Sequence, residues 1–245
     1  MSDTSFLVLD AGNSRIKWGV HEAGSWRANG FIATSNAASL GAALAAAPRA
    51  TSAIASNVAG ADVAKALAGL CSKLGIPLRV IRAEATQLGV TNGYKEASQL
   101  GSDRWAALIA AHHTGPGHKL VVTAGTALTI DALTGKGEFL GGLIVAGPAL
   151  MRRALDHGTA ALRLAEGSFH DFPGNTPDAI TSGSIQACAG AVRRMQEAMT
   201  ARGMAPDRVI LSGGAAGEIA GHLPLRHDIH ENLVLDGLAL IARAG

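Results

Sequence analysis

The sequence predicts an α/β protein of two related domains, and three observations predict it. Apolar runs of strand length alternate with stretches of helical periodicity from one end of the chain to the other. The breaker cluster Thr114-Gly115-Pro116-Gly117 interrupts that alternation near the middle. On each side of it a short glycine turn joins two apolar runs in the same way, at Asp10-Ala11-Gly12-Asn13 and at Thr123-Ala124-Gly125-Thr126. The expected domains are therefore 1–117 and 118–245.

In the first half, Phe6-Leu7-Val8-Leu9 reads as a buried strand, Gly12-Asn13 as a tight turn, and Ile16 to Val20 as the returning hairpin partner. Thr51 to Val58 is a further strand, Val63, Leu67, Leu70 and Leu74 mark one helical face, and Leu78 to Ile81 is a short strand. Trp105, Leu108, Ile109 and His112 stripe a helix that runs into the breaker cluster. In the second half, strands are expected from Lys119 to Thr123, Leu128 to Asp131 and Glu138 to Ile144. Pro148 suits the first turn of a helix reaching Leu155. An irregular stretch from Gly158 to Pro177 precedes a helix with Ile185, Cys188, Val192, Met195 and Met199 on one face, stopped at Gly203. Val209-Ile210-Leu211 is a strand before Ser212-Gly213-Gly214, and Asn232 to Arg243 is the closing helix.

Composition narrows the function classes. With 48% hydrophobic and 16% charged residues among 245, the chain can bury one large or two modest cores. A net charge of +2 without a basic block argues against nucleic acid as a partner. Cys71 and Cys188 sit among helix-forming apolar residues, so buried thiols in a reducing compartment are expected in place of a disulfide. The start, Met-Ser-Asp-Thr, carries no basic segment, and no window reaches the ~18 uninterrupted apolar residues of a membrane span. The expectation is a soluble cytoplasmic protein with no membrane partner.

The first turn has the makings of a phosphate loop. A carboxylate at the strand end, Asp10, can hold a hydrated magnesium ion. Turn N–H groups, the Asn13 amide, the Ser14 hydroxyl and the Lys17 ammonium can meet phosphate oxygens. An ordinary β-hairpin fits the same residues. The second turn echoes it, and the pair suggests a nucleotide clamped between duplicated folds. A third constellation, Tyr94 followed by Gly101-Ser102-Asp103-Arg104-Trp105, opens a helix. Asp103 there is either a helix-start acid favoured by the dipole or a general base, and Arg104 either an anion holder or a local ion-pair partner. No Walker-type phosphate loop and no G-x-G-x-x-G are present. Ser182-Gly183-Ser184 lacks the nucleophile elbow of a hydrolase, and His227 with His230 reads as a solvated loop. Arg152-Arg153 and Arg193-Arg194 read as exposed helix faces ahead of phosphate sites or a role near the cleft.

Together, Asp10-Ala-Gly-Asn-Ser14, Tyr94 with Gly101-Ser-Asp-Arg-Trp105, Gly125-Thr-Ala-Leu-Thr-Ile-Asp131, Gly141-Gly-Leu-Ile144, Asn175-Thr176, Ser212-Gly-Gly214 and Glu231-Asn-Leu-Val-Leu-Asp-Gly-Leu238 resemble the type III pantothenate kinase family. The motifs fall in order over nearly the whole chain. The resemblance implies an α/β fold of two related actin-like ATPase (ribonuclease H-like) domains with the active cleft between them, in a homodimer. It implies ATP-dependent phosphorylation of pantothenate, the first step of coenzyme A biosynthesis. By position, Asp10, Ala11, Gly12, Asn13, Ser14, Arg15, Ile16 and Lys17 would form the ATP phosphate loop, with Mg2+ on Asp10 through water, and Thr126 would contact ATP from the second domain. Asp103 matches the proton acceptor, Tyr94, Gly101, Ser102 and Arg104 the pantothenate pocket, and Thr176 a substrate contact associated with the partner subunit. Two other readings carry the same fold: a phosphotransferase for another small molecule, and a non-catalytic nucleotide-binding regulator.

The chain departs from the family pattern at four positions. Ser14 stands for the usual threonine, Ala97 and Ala146 for prolines, and Thr123 for an aspartate that binds a monovalent cation, K+ or NH4+. Without that carboxylate the cation site loses its formal charge. Equal turnover in sodium and potassium buffers is therefore expected, and a steep requirement for potassium would overturn this reading.

Overall fold

The first two strands are buried along most of their length, as strands covered on both faces of a sheet are. The computed structural model describes residues 5–159, 166–223 and 225–244. In chain order the first half contains β1 (Ser5–Ala11), β2 (Arg15–Glu22), β3 (Ser25–Ala33), α1 (Leu40–Ala43), β4 (Ser52–Asn57), α2 (Ala61–Leu74), β5 (Leu78–Val80), β6 (Thr86–Gln87), β7 (Val90–Asn92) and α3 (Ser102–His113). The second half contains β8 (Lys119–Ala124), β9 (Ala127–Leu133), β10 (Glu138–Ala146), α4 (Pro148–Gly158), α5 (Thr176–Thr200), β11 (Arg208–Ser212), α6 (Ala216–Ala220), β12 (His227–Ile229) and α7 (Leu233–Ala244).

Two units form. One holds the residues up to Thr114 together with those from Leu233 onward, and the other holds Gly115–Asn232. The division corrects the expected 1–117 and 118–245 in one substantive respect: α7 belongs with the first unit. The reason is apolar. Leu233, Val234, Leu235, Leu238 and Ile241 are buried, and the helix packs on α3, β1 and β4. Periodicity reads the apolar stripe of a helix but not the sheet it covers.

The first unit carries the sheet β3-β2-β1-β4-β5. The β1-β2 and β2-β3 pairs are antiparallel, whereas β1-β4 and β4-β5 are parallel. Leu7, Leu9, Ile16, Trp18, Val20, Ala53 and Ala55 pack with Leu40 of α1 and with Val63, Leu67 and Cys71 of α2. The opposite face meets α3 and α7. Nine of the twelve residues of α3 are buried, so this helix is enclosed all round instead of striped. The Trp105 indole N–H donates to Gln87 Oε1 at 2.9 Å, tying the β6-β7 hairpin to α3. The strand β3 and that hairpin lay outside the sequence expectation, because their exposed, alternating residues carry a weak apolar signal.

The second unit repeats the plan. Its strands run in the order β12-β11-β8-β9-β10. The β8-β9 and β9-β10 pairs are antiparallel, and β11 lies parallel to both β8 and β12. Each unit is thus an antiparallel three-strand meander whose first strand also pairs with the first of two parallel strands. The core joins Leu120, Val122, Leu128 and Ile130 to Cys188, Val192 and Met199 of α5 and to Ile219 of α6. His227 and Asp228 lie on β12, not in a solvated loop, and Arg208 donates to Asp228 at 3.1 Å. Cys71 and Cys188 are buried free thiols. Among the described residues no helix is long and apolar enough to cross a membrane.

The tightest helix contact is at Gly237, where a Cβ would fall 3.0 Å from Ala106 Cα and nearer still to its carbonyl. Gly237→Ala should lower stability by about 3 kcal/mol through forced separation of α7 from α3. All three tryptophans, Trp18, Trp26 and Trp105, belong to the first unit. A urea titration followed by tryptophan fluorescence therefore reads the loss directly, and an unchanged midpoint would refute the packing argument.

Candidate active site

The end of β1 places Asp10 in register with Lys17 on one neighbouring strand and with Ser56 on the other. The turn that follows is held by backbone bonds: Gly12 N–H donates to Arg15 O at 3.0 Å. Thr34 braces it from the end of β3, donating through its hydroxyl to Gly12 O at 2.6 Å and through its N–H to Ser14 O at 3.1 Å. Ala11 and Ile16 are buried in the core, so their side chains anchor the turn. Asn13, Ser14 and Arg15 are exposed, and the Arg15 guanidinium lies 4.7 Å from the centre of the Phe31 ring. Asp10, Gly12 and Lys17 are half-buried.

The N-terminus of α3 supplies the second group of residues. Gly101 is the N-cap, and Trp105 N–H donates to its carbonyl at 2.9 Å. Asp103 is half-buried in the first turn, and its Oδ1 accepts the Arg104 N–H at 2.8 Å. A Cβ at position 101 would sit 2.5 Å from that same oxygen, so any residue larger than glycine would displace the carboxylate. Arg104 is buried. Its Nη1 donates to the Tyr94 hydroxyl at 3.1 Å, and its guanidinium carbon lies 5.7 Å from the Tyr94 ring centre.

Two residues that sequence reasoning missed position this group. Ser56, fully buried on β4, shares a 2.8 Å hydrogen bond with Ser102 Oγ and so joins the strand beside Asp10 to the helix bearing Asp103. Asn92 accepts the Tyr94 N–H at 3.0 Å through Oδ1 and donates to Ala97 O at 3.2 Å and Glu84 O at 3.3 Å. Asn92 thereby sets the loop that carries Tyr94. The one available signal was a polar residue ending each of two short apolar runs, which is too common to single out either residue.

Burial, then the charge of Asp103, push the Asp10 pKa up to about 7, with Lys17 opposing. An acidic pair with a single nearby ammonium is a donor set that suits a hydrated divalent cation.

In the second unit the echoed turn closes through Gly125 N–H donating to Ala127 O at 2.9 Å. Thr126 is half-buried, and its carbonyl accepts the Gly147 N–H at 2.9 Å. Thr123 stands opposite Thr129 on β9 and Ser212 on β11. Thr176 is exposed at the first position of α5, capped by Asn175, whose Oδ1 accepts the Asp178 N–H at 2.9 Å. Asp10 to Lys17, Tyr94 and Gly101 to Arg104 thus belong to the first unit, and Thr126 and Thr176 to the second.

A family model described as type III pantothenate kinase matches residues 6–198. The chain belongs to the type III pantothenate kinase family. The chain is 45% identical over 237 residues to the type III pantothenate kinase of Aromatoleum aromaticum, covering 97% of each. It is 42% identical over 250 residues to that of Nitrosomonas eutropha, covering all of this chain and 97% of the relative. Among solved structures it is similar to a ROK family glucokinase from Streptomyces griseus in complex with glucose and AMPPNP. That likeness has a TM-score of 0.55 at 12% identity, covers 98% of this chain and all of the other, and bears on the fold alone. The two repeated sheets are those of the actin-like ATPase fold. This pantothenate kinase is an enzyme that phosphorylates pantothenate with ATP, the first step of coenzyme A biosynthesis.

Because the folded kinase binds the Asp10 proton more tightly than the unfolded chain does, ionising this group costs stability as pH rises from about 4 to about 7. Above that the cost is constant. In metal-free buffer Asp10→Asn should therefore gain on the order of 2 kcal/mol at pH 8 and clearly less at pH 5, compared by urea midpoints. An equal gain at both values would overturn the assignment.

Proposed function

We propose that Asp103 is the general base of pantothenate phosphorylation and that Asp10 to Lys17 form the phosphate loop for ATP. The observation that carries this reading is the 2.8 Å Ser56–Ser102 hydrogen bond, which joins the strand beside Asp10 to the helix that carries Asp103. Asp103 takes the proton of the pantothenate hydroxyl. The freed oxygen attacks the γ-phosphorus, and the bond to the β,γ-bridging oxygen breaks to release ADP. Arg104, buried with its Nη1 on the Tyr94 hydroxyl, suits the pantothenate carboxylate, and Gly101 and Ser102 complete the pocket. Gly12, Asn13, Ser14, Arg15 and Lys17 offer N–H groups and side-chain donors to the phosphates, on the anchors Ala11 and Ile16. Thr126 of the second unit adds a contact to ATP.

Asp10 would hold Mg2+ through water, its charge offsetting the acidic pair. When bound, the ion supplies neutralisation of the charge that spreads over the phosphoryl oxygens. No monovalent cation is required in this reading, since Thr123 offers a hydroxyl where a carboxylate would bring charge.

The working form is a homodimer in the cytoplasm, with Thr176 meeting pantothenate from the partner copy. Leu143, Ile144 and Leu155, all on β10 and α4, remain 37%, 62% and 39% exposed, which supports an apolar association face on the second unit.

Asp103→Asn keeps the shape and removes the base. Its turnover should fall on the order of 10²–10⁴-fold in an ADP-release assay with pantothenate, with an unchanged urea midpoint. Near-normal turnover would remove Asp103 from the role.

A further inference from the structure

The second unit contains an ion pair that the reaction does not use directly. Arg152 on α4 reaches Glu218 on α6: Nη1 donates to Oε1, Nη2 lies 3.5 Å from Oε2, and Nη1 also donates to Ser184 Oγ on α5 at 3.2 Å. The Ser184 hydroxyl itself donates to Thr181 O at 2.8 Å. The two charged side chains are only 20% and 30% exposed. The expected exposed arginine face therefore holds for Arg153 but not for Arg152. Three helices meet at one guanidinium, whose planar fork fixes direction as well as distance.

Two of those helices begin immediately after turns bonded to the second phosphate-loop candidate. Gly147, the N-cap of α4, donates to Thr126 O, and its missing Cβ leaves room for the Gly125 and Thr126 carbonyls. Just before α6, Ala215 N–H donates to Ala124 O at 2.9 Å, and Gly213, at φ +99°, lies against the Ala124 backbone, 2.8 Å from Ala124 N to the place a Cβ would take. The 124–127 turn is thus gripped on both sides by backbone that leads within a few residues to Arg152 or to Glu218. Contacts this close leave no slack, so a shift of α4 against α6 moves the turn.

We infer that the Arg152–Glu218 pair, with Ser184, is a positioning clamp that fixes the Thr126 turn for nucleotide binding. Arg152 and Glu218 act through the turn and touch neither substrate. The inference rests on the reading that Thr126 meets ATP. Removing one partner also leaves a half-buried charge alone, which lowers stability, so stability by itself does not test the clamp.

The test is a comparison of steady-state constants. Arg152→Met should raise KM for ATP about tenfold, leaving kcat and KM for pantothenate within about twofold, because only the nucleotide turn is misplaced. Arg152→Lys, which keeps the charge and loses the fork, should raise it about threefold and keeps the test available if the methionine variant does not fold. The exchanged double variant Arg152→Glu with Glu218→Arg should recover most of the loss. Val192→Ala, a core deletion in the same unit, controls for stability and should leave KM for ATP unchanged. Thr126→Ala separates the two layers of the argument. If it weakens ATP binding while the Arg152 variants do not, the clamp is refuted and the Thr126 reading stands. If Thr126→Ala has no effect on ATP, that reading falls and the clamp falls with it. Equal rises in both KM values in the Arg152 variants would also refute it.

Discussion

The burial of Asp10, within reach of the Asp103 charge, is the electrostatic constraint that the rest of the fold has to meet. Asp10 comes from the end of a central strand and Asp103 from the first turn of a helix that is buried on nearly every side. Nothing local to either residue would bring them together. The sheet register that sets Ser56 beside Asp10, and the Ser56–Ser102 hydrogen bond that carries this position to the helix, do so at a distance of 46 residues. Burial first, and the Asp103 charge second, resist the ionisation of Asp10 and raise its proton affinity. An unliganded protein bears the cost. In the proposed reading, a cation at Asp10 and a hydroxyl proton at Asp103 would offset it.

The duplicated architecture explains how the proposed phosphate loop and its echo come to look alike. In each unit the turn is the first hairpin of the sheet, and the strand before it pairs on its other side with a parallel neighbour. The loops differ in their supports. The first is braced by Thr34 from the end of β3, the second by glycines that begin or precede α4 and α6. Equivalent turns thus rest on different neighbours, so each can be adjusted alone.

Much of this was legible in the sequence. The apolar runs located β1, β2, β4, β5, β8, β9, β10, β11 and the helices α2 to α5 and α7, with ends displaced by a few residues where caps are ambiguous. The glycine turns and the Gly101 to Trp105 segment marked the residues proposed for the site, because an acid next to special backbone is a local pattern. Partnerships across the fold were not legible. The assignment of α7 to the first unit, Ser56 beneath Ser102 and Arg152 on Glu218 all depend on contacts between residues distant in sequence. The sequence expectation for Arg152 failed for this reason: a pair of adjacent arginines on a helix points two ways, and only one of them faces water.

The place of α7 has a consequence for biosynthesis. A ribosome delivers the whole of β8 to β12 before it delivers Leu233, Leu235 and Leu238, which cover β1 and β4. The first unit begins first and closes last. Until Leu233–Ala244 emerge, the part of its sheet that α7 covers stays open to solvent or to a chaperone, while β8 to β12 are already in hand.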